Sequence, residues 1–332
     1  MTGEDDTLAA LRLAVEALEA GREVVLATVL STYGSSPRPP GSLWAIVDPD
    51  ERRPAMHGSV SGGCVEDDLL DWLRGPEGRH APAWRCYDGR THPGLPCGGT
   101  LEVLVERPRS VAEVRPALIA LETRRPVWRR VDPASGAVDW QSPPADTRLP
   151  DAPLRRDGRV FQPFGPSWRL LVVGAGPVGA HLARQGQALG FEVAICDPRP
   201  DAEIGLPGVP LDRRAPERAL AERTPDARTA VVAVAHDPRV DDLALIDALE
   251  SSAFYVAAMG SRRTSEARRG RLDALGVDVA RLHAPAGLDI GSHTPAEIAV
   301  SIAAELVAAR RLARRATHLP TEAARDARPV GD

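Results

Sequence analysis

Hydrophobic residues in the second half of the chain follow two alternating patterns. Short apolar runs, typical of buried strands, occupy 169–173, 191–196, 229–235 and 253–258. Helical spacing of apolar residues predicts helices at 177–189, 216–223, 239–250, 261–275 and 295–314. Strands that alternate with helices across short loops indicate a parallel sheet covered on both faces.

The first half mixes the two patterns without regular alternation. Strands are predicted at 23–30, 42–47, 83–87 and 100–106. Helices are predicted at 7–20, from near Gly63 to before Gly75, and at 110–123. Asp6 is the expected N-cap of the first helix. The whole chain is therefore expected to be α/β, with an N-terminal α+β domain followed by a C-terminal Rossmann-like parallel-sheet domain.

Periodicity fades between Val131 and Pro166, where proline, aspartate and glycine accumulate. This composition predicts a linker that contains a short hairpin. The expected organisation is an N-terminal domain at 1–130, a linker at 131–166, a Rossmann-like domain at 167–315 and a disordered tail at 316–332.

Composition excludes several classes of protein. A formal net charge of −5 without a long run of one sign argues against nucleic acid or an anionic membrane as a partner. All 41 basic residues are arginine, which excludes enzymes that need a Schiff-base or P-loop lysine. The acidic N-terminus, the lack of a long apolar segment and the presence of only four cysteines favour a reducing cytoplasm.

A dinucleotide-type fingerprint joins the first strand and helix of the second half. Gly174 permits a tight turn, Gly176 lets a diphosphate approach the backbone, and Gly179 permits close helix–strand packing. Asp197 ends the next strand, where it is expected to accept from a ribose 2′-OH, although Arg199 leaves a 2′-phosphate open. An NAD(P)-dependent oxidoreductase, a nucleotide-sensing regulatory module and a fold kept for its architecture alone all remain open.

Two cysteines of the first half each adjoin a pair of glycines. The residues of interest in these two runs are Ser61, Gly62, Gly63, Cys64, Cys97, Gly98 and Gly99. Glycine pairs let backbone N–H groups face a bound anion, and a helix start stabilises a thiolate. This combination suits an anionic ligand with sulfur or metal chemistry. The alternative is two tight turns that carry small buried cysteines.

Other candidate anion contacts lie in loops. Ser35, Ser36 and Arg38 belong to a proline-stiffened segment, and Arg38 offers a two-pronged clamp for an anion. Ser261 and Arg262 follow a strand and begin a helix, which favours an anion as well. Asp289 lies in a loop flanked by glycines. Its side chain is expected either to hold this loop in place or to accept a hydrogen bond from a ligand. A rigid surface turn and a solvated helix start are the alternatives.

Taken in order, these segments resemble the XdhC/CoxI family, accessory proteins of molybdenum hydroxylases such as xanthine dehydrogenase. The resemblance spans about residues 8–313. The segments that carry it are Tyr33–Gly41, Gly58–Asp68, Leu95–Glu102, Gly174–Gly179, Gly260–Thr264, Gly287–Gly291 and Thr294–Ile298. The chain departs from the family at Ala235, where threonine is frequent, and at Ala257, where glycine is frequent.

The resemblance implies a non-catalytic chaperone that binds the molybdenum cofactor as molybdopterin or its dinucleotide form. Such a protein shields the cofactor from oxidation, supports its sulfuration by a cysteine desulfurase and delivers it to an apo-molybdenum hydroxylase. Cys64 and Cys97 would then offer soft sulfur to the metal or relay the incoming sulfur. The apolar last helix favours a homodimer.

Overall fold

The computed structural model describes residues 3–34, 38–63, 65–80, 82–89, 99–143 and 149–315. These residues form two compact units, with the boundary between Pro166 and Ser167. Each unit has its own hydrophobic core. The tail expected at 316–332 lies outside the described residues.

Unit 1 contains two antiparallel sheets. Its elements are α1 (Gly3–Glu19), β1 (Val24–Tyr33), β2 (Leu43–Val47), β3 (Ala55–Gly58), α2 (Glu66–Arg74), β4 (Ala83–Asp88), β5 (Thr100–Glu106), α3 (Arg115–Glu122), β6 (Val127–Val131), β7 (Val138–Gln141), β8 (Leu154–Arg156) and β9 (Arg159–Phe164). The strand orders are β3-β2-β1-β5-β4 and β7-β6-β9-β8.

The central strand β1 is apolar on both faces because helices cover both sides of its sheet. Val25 belongs to a cluster with Leu69 of α2, whereas Leu26 belongs to a cluster with Leu11 of α1. Burial on both sides explains why the strand reads as a continuous apolar run rather than an alternating one.

Three features of unit 1 differ from the sequence predictions. The segment 131–166 supplies β7, β8 and β9 instead of a linker, and its strands are too short to give a clear pattern. Helix α1 begins at Gly3, so Asp6 lies inside the helix and is not its N-cap. The helix predicted at 110–123 is divided into a short 3₁₀ turn and α3, because a proline in the first turn of α3 has no N–H to continue the earlier turn.

A buried polar network joins the two sheets of unit 1. Arg129 of β6 donates to both carboxylate oxygens of Glu106 on β5, at 2.8 and 3.0 Å. Arg129 also donates to Gln162 Oε1 at 2.6 Å, and Gln162 donates to Thr28 Oγ1 of β1 at 2.9 Å. The side chains of Arg129 and Glu106 are only 3% and 6% exposed. Each charge therefore depends on its partner, since water does not replace it.

Unit 2 is built on one parallel sheet, as predicted, but the sheet has six strands where the sequence predicted four. Its elements are β10 (Arg169–Val173), α4 (Pro177–Ala188), β11 (Glu192–Cys196), β12 (Leu211–Asp212), α5 (Pro216–Glu222), β13 (Thr229–Ala233), α6 (Pro238–Glu250), β14 (Tyr255–Ala258), α7 (Arg262–Ala274), β15 (Leu282–His283) and α8 (Pro295–Arg315). The strand order is β12-β11-β10-β13-β14-β15.

Helices cover both faces of this sheet. Leu182 of α4 and Leu306 of α8 belong to the core on one face, and Leu245 of α6 belongs to the core on the other. The predicted capping box of α8 is present, since Glu297 N donates to Thr294 Oγ1 and Thr294 N donates to the Glu297 carboxylate. Among the described residues, no helix has both the length and the apolar character to cross a membrane.

The buried pair gives a prediction about stability. Replacement of Glu106 by Gln leaves the Arg129 guanidinium buried without its counter-charge, and we expect it to lower the free energy of unfolding by about 3–5 kcal/mol. A urea titration followed by circular dichroism measures this loss. Arg130→Met is the matched control, because Arg130 pairs with Asp139 at the surface and such pairs contribute at most about 1 kcal/mol. Equal losses in the two variants would contradict the role given to the buried pair.

Candidate functional site

Three of the segments singled out above adjoin the same end of the five-stranded sheet of unit 1. Tyr33, the last residue of β1, pairs with Thr100, the first of β5. Leu43 and Trp44 begin β2, and Trp44 pairs with Gly58, the last residue of β3. The connections that follow β1 and β3 and precede β5 therefore start from one edge of the sheet, which is where the predicted ligand contacts are concentrated.

Two glycines at this edge lie against each other. A Cβ placed on Gly34 would be 3.3 Å from the Cα of Gly99, and the φ of Gly34 is +78°. Gly89 N donates to Gly99 O at 2.8 Å, which fixes the same point to the end of β4. Gly34 is therefore required both by its backbone conformation and by the space available.

Five predicted site residues lie outside the described residues, namely Ser35, Ser36, Cys64, Cys97 and Gly98. The convergence of the two thiols in one pocket accordingly stays a prediction. Described residues flank Cys64 on both sides, whereas Gly99 is the described residue nearest to Cys97 in the sequence.

The loop before α2 folds around the carboxylate of Glu66. Glu66 Oε1 accepts from Val60 N at 3.1 Å and Ser61 N at 2.9 Å. Its Oε2 accepts from Gly63 N at 2.9 Å and Val65 N at 3.2 Å. The sequence predicted that these backbone donors face a ligand anion, whereas they face a carboxylate of the protein itself. The residues on both sides of Cys64 are thus held by one side chain.

Two hydroxyl groups complete the environment of Glu66. Ser59 Oγ donates to Oε1 at 2.5 Å and Ser61 Oγ donates to Oε2. Burial by itself raises the pKa of Glu66, but the hydrogen bonds from Ser59, Ser61 and the backbone outweigh burial and lower this pKa to about 2. Gly62 is held separately, since its N–H donates to Ser59 Oγ at 2.7 Å. The carboxylate therefore remains charged at neutral pH.

The first turn of α2 is acidic throughout. It contains Glu66, Asp67 and Asp68, directly after the position of Cys64 in the sequence. Carboxylates disfavour a further negative charge nearby and so oppose the thiolate stabilisation expected of a helix start. The electrostatics of this turn favour a cation or a neutral group over a phosphate.

Arg38 does not present the free anion clamp that the sequence predicted. Its Nη1 donates to Asp6 Oδ2 of α1 at 2.8 Å, and Asp6 is only 8% exposed. The guanidinium therefore ties the segment after β1 to the first helix.

The fingerprint glycines of unit 2 have three different surroundings. Gly174 has a φ of +114°, and a Cβ there would meet Ala235 N at 2.6 Å. A Cβ on Gly179 would meet Gly174 O at 2.0 Å, so this glycine permits the helix to pack against the turn. A Cβ on Gly176 would meet nothing within 4 Å. Gly176 therefore borders open space, as expected of a point that a ligand approaches.

Asp197 is engaged by the protein itself. Its Oδ2 accepts from Ala175 N at 2.7 Å and Arg199 Nη2 at 2.7 Å. Its Oδ1 accepts from Arg199 N at 3.1 Å and Arg199 Nε at 3.0 Å. Burial raises the pKa of Asp197, but these hydrogen bonds outweigh burial and the pKa lies below its usual range. This carboxylate holds the fingerprint turn in place.

A second buried carboxylate, which the sequence analysis did not single out, holds the neighbouring strand end. Asp241 of α6 is fully buried and accepts from Ala235 N at 3.0 Å and from Arg268 Nη2 at 3.0 Å. Arg268 also donates to Met259 O at 3.0 Å. These contacts fix the ends of β13 and β14, next to His236 with its φ of +64°.

The predicted contacts at the start of α7 have structural partners. Ser261 caps the helix by accepting from Thr264 N at 3.2 Å. Arg262 Nη2 lies 3.5 Å from Asp289 Oδ2, and both side chains are more than 80% exposed. Asp289 does not pin the backbone of its loop, because Glu305 does so by accepting from Gly287 N at 2.7 Å.

Within the described part of the chain, no group of three or more metal-binding side chains is present. Cys196 is buried, and burial followed by the charge of Asp212 raises the pKa of its thiol to about 12. A thiol with such a raised pKa forms little thiolate at neutral pH, so Cys196 is not expected to act as a nucleophile. Cys86 is exposed on β4.

Comparison with known proteins places these features in a family. Molybdenum cofactor insertion chaperone PaoD of Escherichia coli K12 is 29% identical over 316 residues, which cover 92% of this chain and 89% of PaoD. A probable xanthine dehydrogenase subunit of Bacillus subtilis is 26% identical, with 89% of this chain and 95% of that protein covered. A crystal structure from Bacillus halodurans, described as a xanthine dehydrogenase, shares the fold with a TM-score of 0.67 at 24% identity, covering 91% of this chain and 96% of that one.

Two family models match this chain, one in each unit. The model of the XdhC and CoxI family matches residues 17–81, and the model of the XdhC Rossmann domain matches residues 170–306. The matches lie in different units and together cover more than half of the chain. On this basis the protein belongs to the XdhC and CoxI family.

Proposed function

We propose that this protein is a molybdenum cofactor insertion chaperone for hydroxylases of the xanthine dehydrogenase type, and that it is a maturation factor without catalysis of its own. The names of the two relatives support the first part, since one is a cofactor insertion chaperone and the other a probable dehydrogenase subunit. The observation that carries the proposal is structural: three glycine-rich segments leave the five-stranded sheet at one end.

Soft sulfur suits a molybdenum–dithiolene group. In the proposal Cys64 and Cys97 contact the metal or its sulfur, since thiolates are preferred ligands of soft metals. When bound, the cofactor supplies the metal centre that the client hydroxylase lacks. Gly34 lets the connection after β1 approach Gly99 closely, since a Cβ on Gly34 would be 3.3 Å from Gly99 Cα.

Glu66 has a positioning role in this proposal. Its carboxylate takes up four backbone donors of the loop around Cys64, and therefore withdraws them from any ligand phosphate. The donors fit an internal anion, not a cofactor phosphate. We accordingly assign the recognition at this loop to sulfur and to shape, with the phosphate bound elsewhere.

The finer parts of the proposal concern the steps after binding. The bound cofactor is shielded from oxidation, receives a terminal sulfur from a cysteine desulfurase and is passed to the apo-hydroxylase. A homodimer formed through α8 is part of the same proposal. Exposed Val300 and Leu312 on this helix are consistent with a covered face.

The first test replaces the cysteines. We expect Cys64→Ser and Cys97→Ser each to lower the molybdopterin that co-purifies with the protein after co-expression with cofactor biosynthesis, because oxygen is a poorer ligand for a soft metal than sulfur. Fluorescence of the oxidised pterin measures the content. Cys86→Ser is the matched control, since this exposed cysteine lies within strand β4 and is expected to leave the content unchanged.

Background pterin fluorescence in the unaltered protein would reject the proposed function. An equal loss in the Cys86→Ser control would reject the assignment of the two cysteines while leaving cofactor binding in place.

The second test concerns Glu66. Glu66→Gln replaces one acceptor oxygen by an amide N–H₂ that faces backbone N–H groups, which cannot accept a hydrogen bond, so we expect a loosened loop and a lower molybdopterin content. Because the pKa of Glu66 is lowered from 4.5 to about 2, its contribution to stability is present above pH 4.5 and is lost as the pH falls towards 2. Urea titrations across this range measure that contribution, which the Gln variant lacks.

Asp67→Asn is the control for the same helix turn. Asp67 is exposed, and the described residues provide no hydrogen-bond partner for its side chain. If this control loses as much pterin and as much acid-dependent stability as Glu66→Gln, general charge in the turn is responsible and the positioning role of Glu66 is wrong.

A further inference from the structure

The carboxylate of Asp197 has no hydrogen-bonding capacity directed at a ligand. Each of its two oxygens accepts two hydrogen bonds, from Ala175 N and from three nitrogen atoms of Arg199. Its side chain is only 2% exposed. A ribose 2′-hydroxyl that bound here as the fingerprint predicts would have to displace the guanidinium or the N–H of the turn.

The cost of that displacement is unequal for the two groups. Ala175 is buried, and loss of its acceptor would leave a backbone N–H without a partner inside the turn. Arg199 is 60% exposed, so water can replace Asp197 as its partner. Displacement of Arg199 is therefore the easier route, and Arg199 is the group that decides whether a hydroxyl reaches Asp197.

Arg199 also changes what the site offers. Its Nε and Nη2 contact Asp197, while Nη1 has no hydrogen-bond partner among the described residues. The free side of a guanidinium binds phosphate oxygens well. The same residue therefore closes the site to a neutral diol and presents a cation at the place where the diol would bind.

We propose that Arg199 is the specificity-determining residue of unit 2: it keeps a ribose diol from Asp197 and favours a ligand that carries a phosphate at this point. In this assignment Asp197 holds the fingerprint turn and does not bind the ribose. The inference goes beyond the proposed function and is independent of molybdenum, because it concerns only described residues of unit 2.

A matched control exists after β13, in the same sheet. Arg239 donates to Asp237 with the same three nitrogen atoms that Arg199 uses on Asp197. Its backbone N, Nε and Nη2 lie 2.9, 3.1 and 2.8 Å from the Asp237 carboxylate oxygens. Asp237 caps α6. Removal of Arg239 therefore takes away a similar charge from the same edge of the sheet without freeing Asp197.

The experiment measures the affinity of the cofactor-free full-length protein for NAD⁺ and NADP⁺ by calorimetry. We expect the unaltered protein to bind NADP⁺ about tenfold or more tightly than NAD⁺, the ratio that one charge-assisted contact can supply. Arg199→Ala should strengthen NAD⁺ binding and weaken NADP⁺ binding, and Arg199→Gln should do the same. Addition of Asp197→Asn to Arg199→Ala should abolish the gain for NAD⁺, and Arg239→Ala should leave the ratio unchanged.

Three results would overturn the inference: equal binding of NAD⁺ and NADP⁺ by the unaltered protein, an unchanged ratio in both Arg199 variants, or a change of the same size in Arg239→Ala. Failure of every variant to bind either nucleotide at millimolar concentration would overturn it as well. None of these results depends on molybdopterin content, so each is distinguishable from failure of the proposed chaperone function.

Discussion

Carboxylates that accept hydrogen bonds from backbone N–H groups hold four loops of this protein in place. Glu66 holds the loop before α2, Asp197 the fingerprint turn, Asp241 the end of β13 and Glu305 the loop after β15. Glycine-rich loops lose much conformational entropy when they become ordered. Hydrogen bonds to an ionised acceptor are stronger than neutral ones and offset part of this loss. The rest of each candidate site depends on these contacts, because they position the residues nearby.

This arrangement changes how the glycine motifs are understood. A run of glycines between a strand and a helix usually indicates backbone donors that are available to an anion. In the loop around Glu66 those donors are engaged within the protein, so the loop is ordered before any ligand arrives. Under the two proposals above, recognition then depends on side chains, which are cysteines in unit 1 and an arginine in unit 2.

The sequence alone predicts a strand correctly where the hydrophobic pattern reflects burial of that strand. The four longer strands of the parallel sheet, β10, β11, β13 and β14, were predictable because they are short apolar runs that helices cover on both faces. The two-residue strands β12 and β15 and the short strands of 131–166 were not, because so few residues leave no periodicity. Arg129, whose buried pairing joins the two sheets, gives no signal in a sequence rich in exposed arginine.

The partners of charged residues were the hardest feature to predict. Asp197 matched the acidic position of a dinucleotide site, but the sequence does not show that Arg199 folds back onto it. One signal was available: in unit 2 the pattern Asp-x-Arg occurs at or after the ends of three strands, at Asp197, Asp212 and Asp237, and in each case the arginine forms an ion pair with the aspartate two residues before it. A repeated spacing of this kind indicates a local turn more than a ligand contact.

The boundary between Pro166 and Ser167 has a consequence for how such proteins diversify. Each side of the boundary closes its own sheets and its own core, and each is matched by a separate family model. Gene fusion or fission at this point would cut no strand pairing. Selection can therefore alter unit 2 in one lineage, or exchange it by recombination, while unit 1 keeps its sequence.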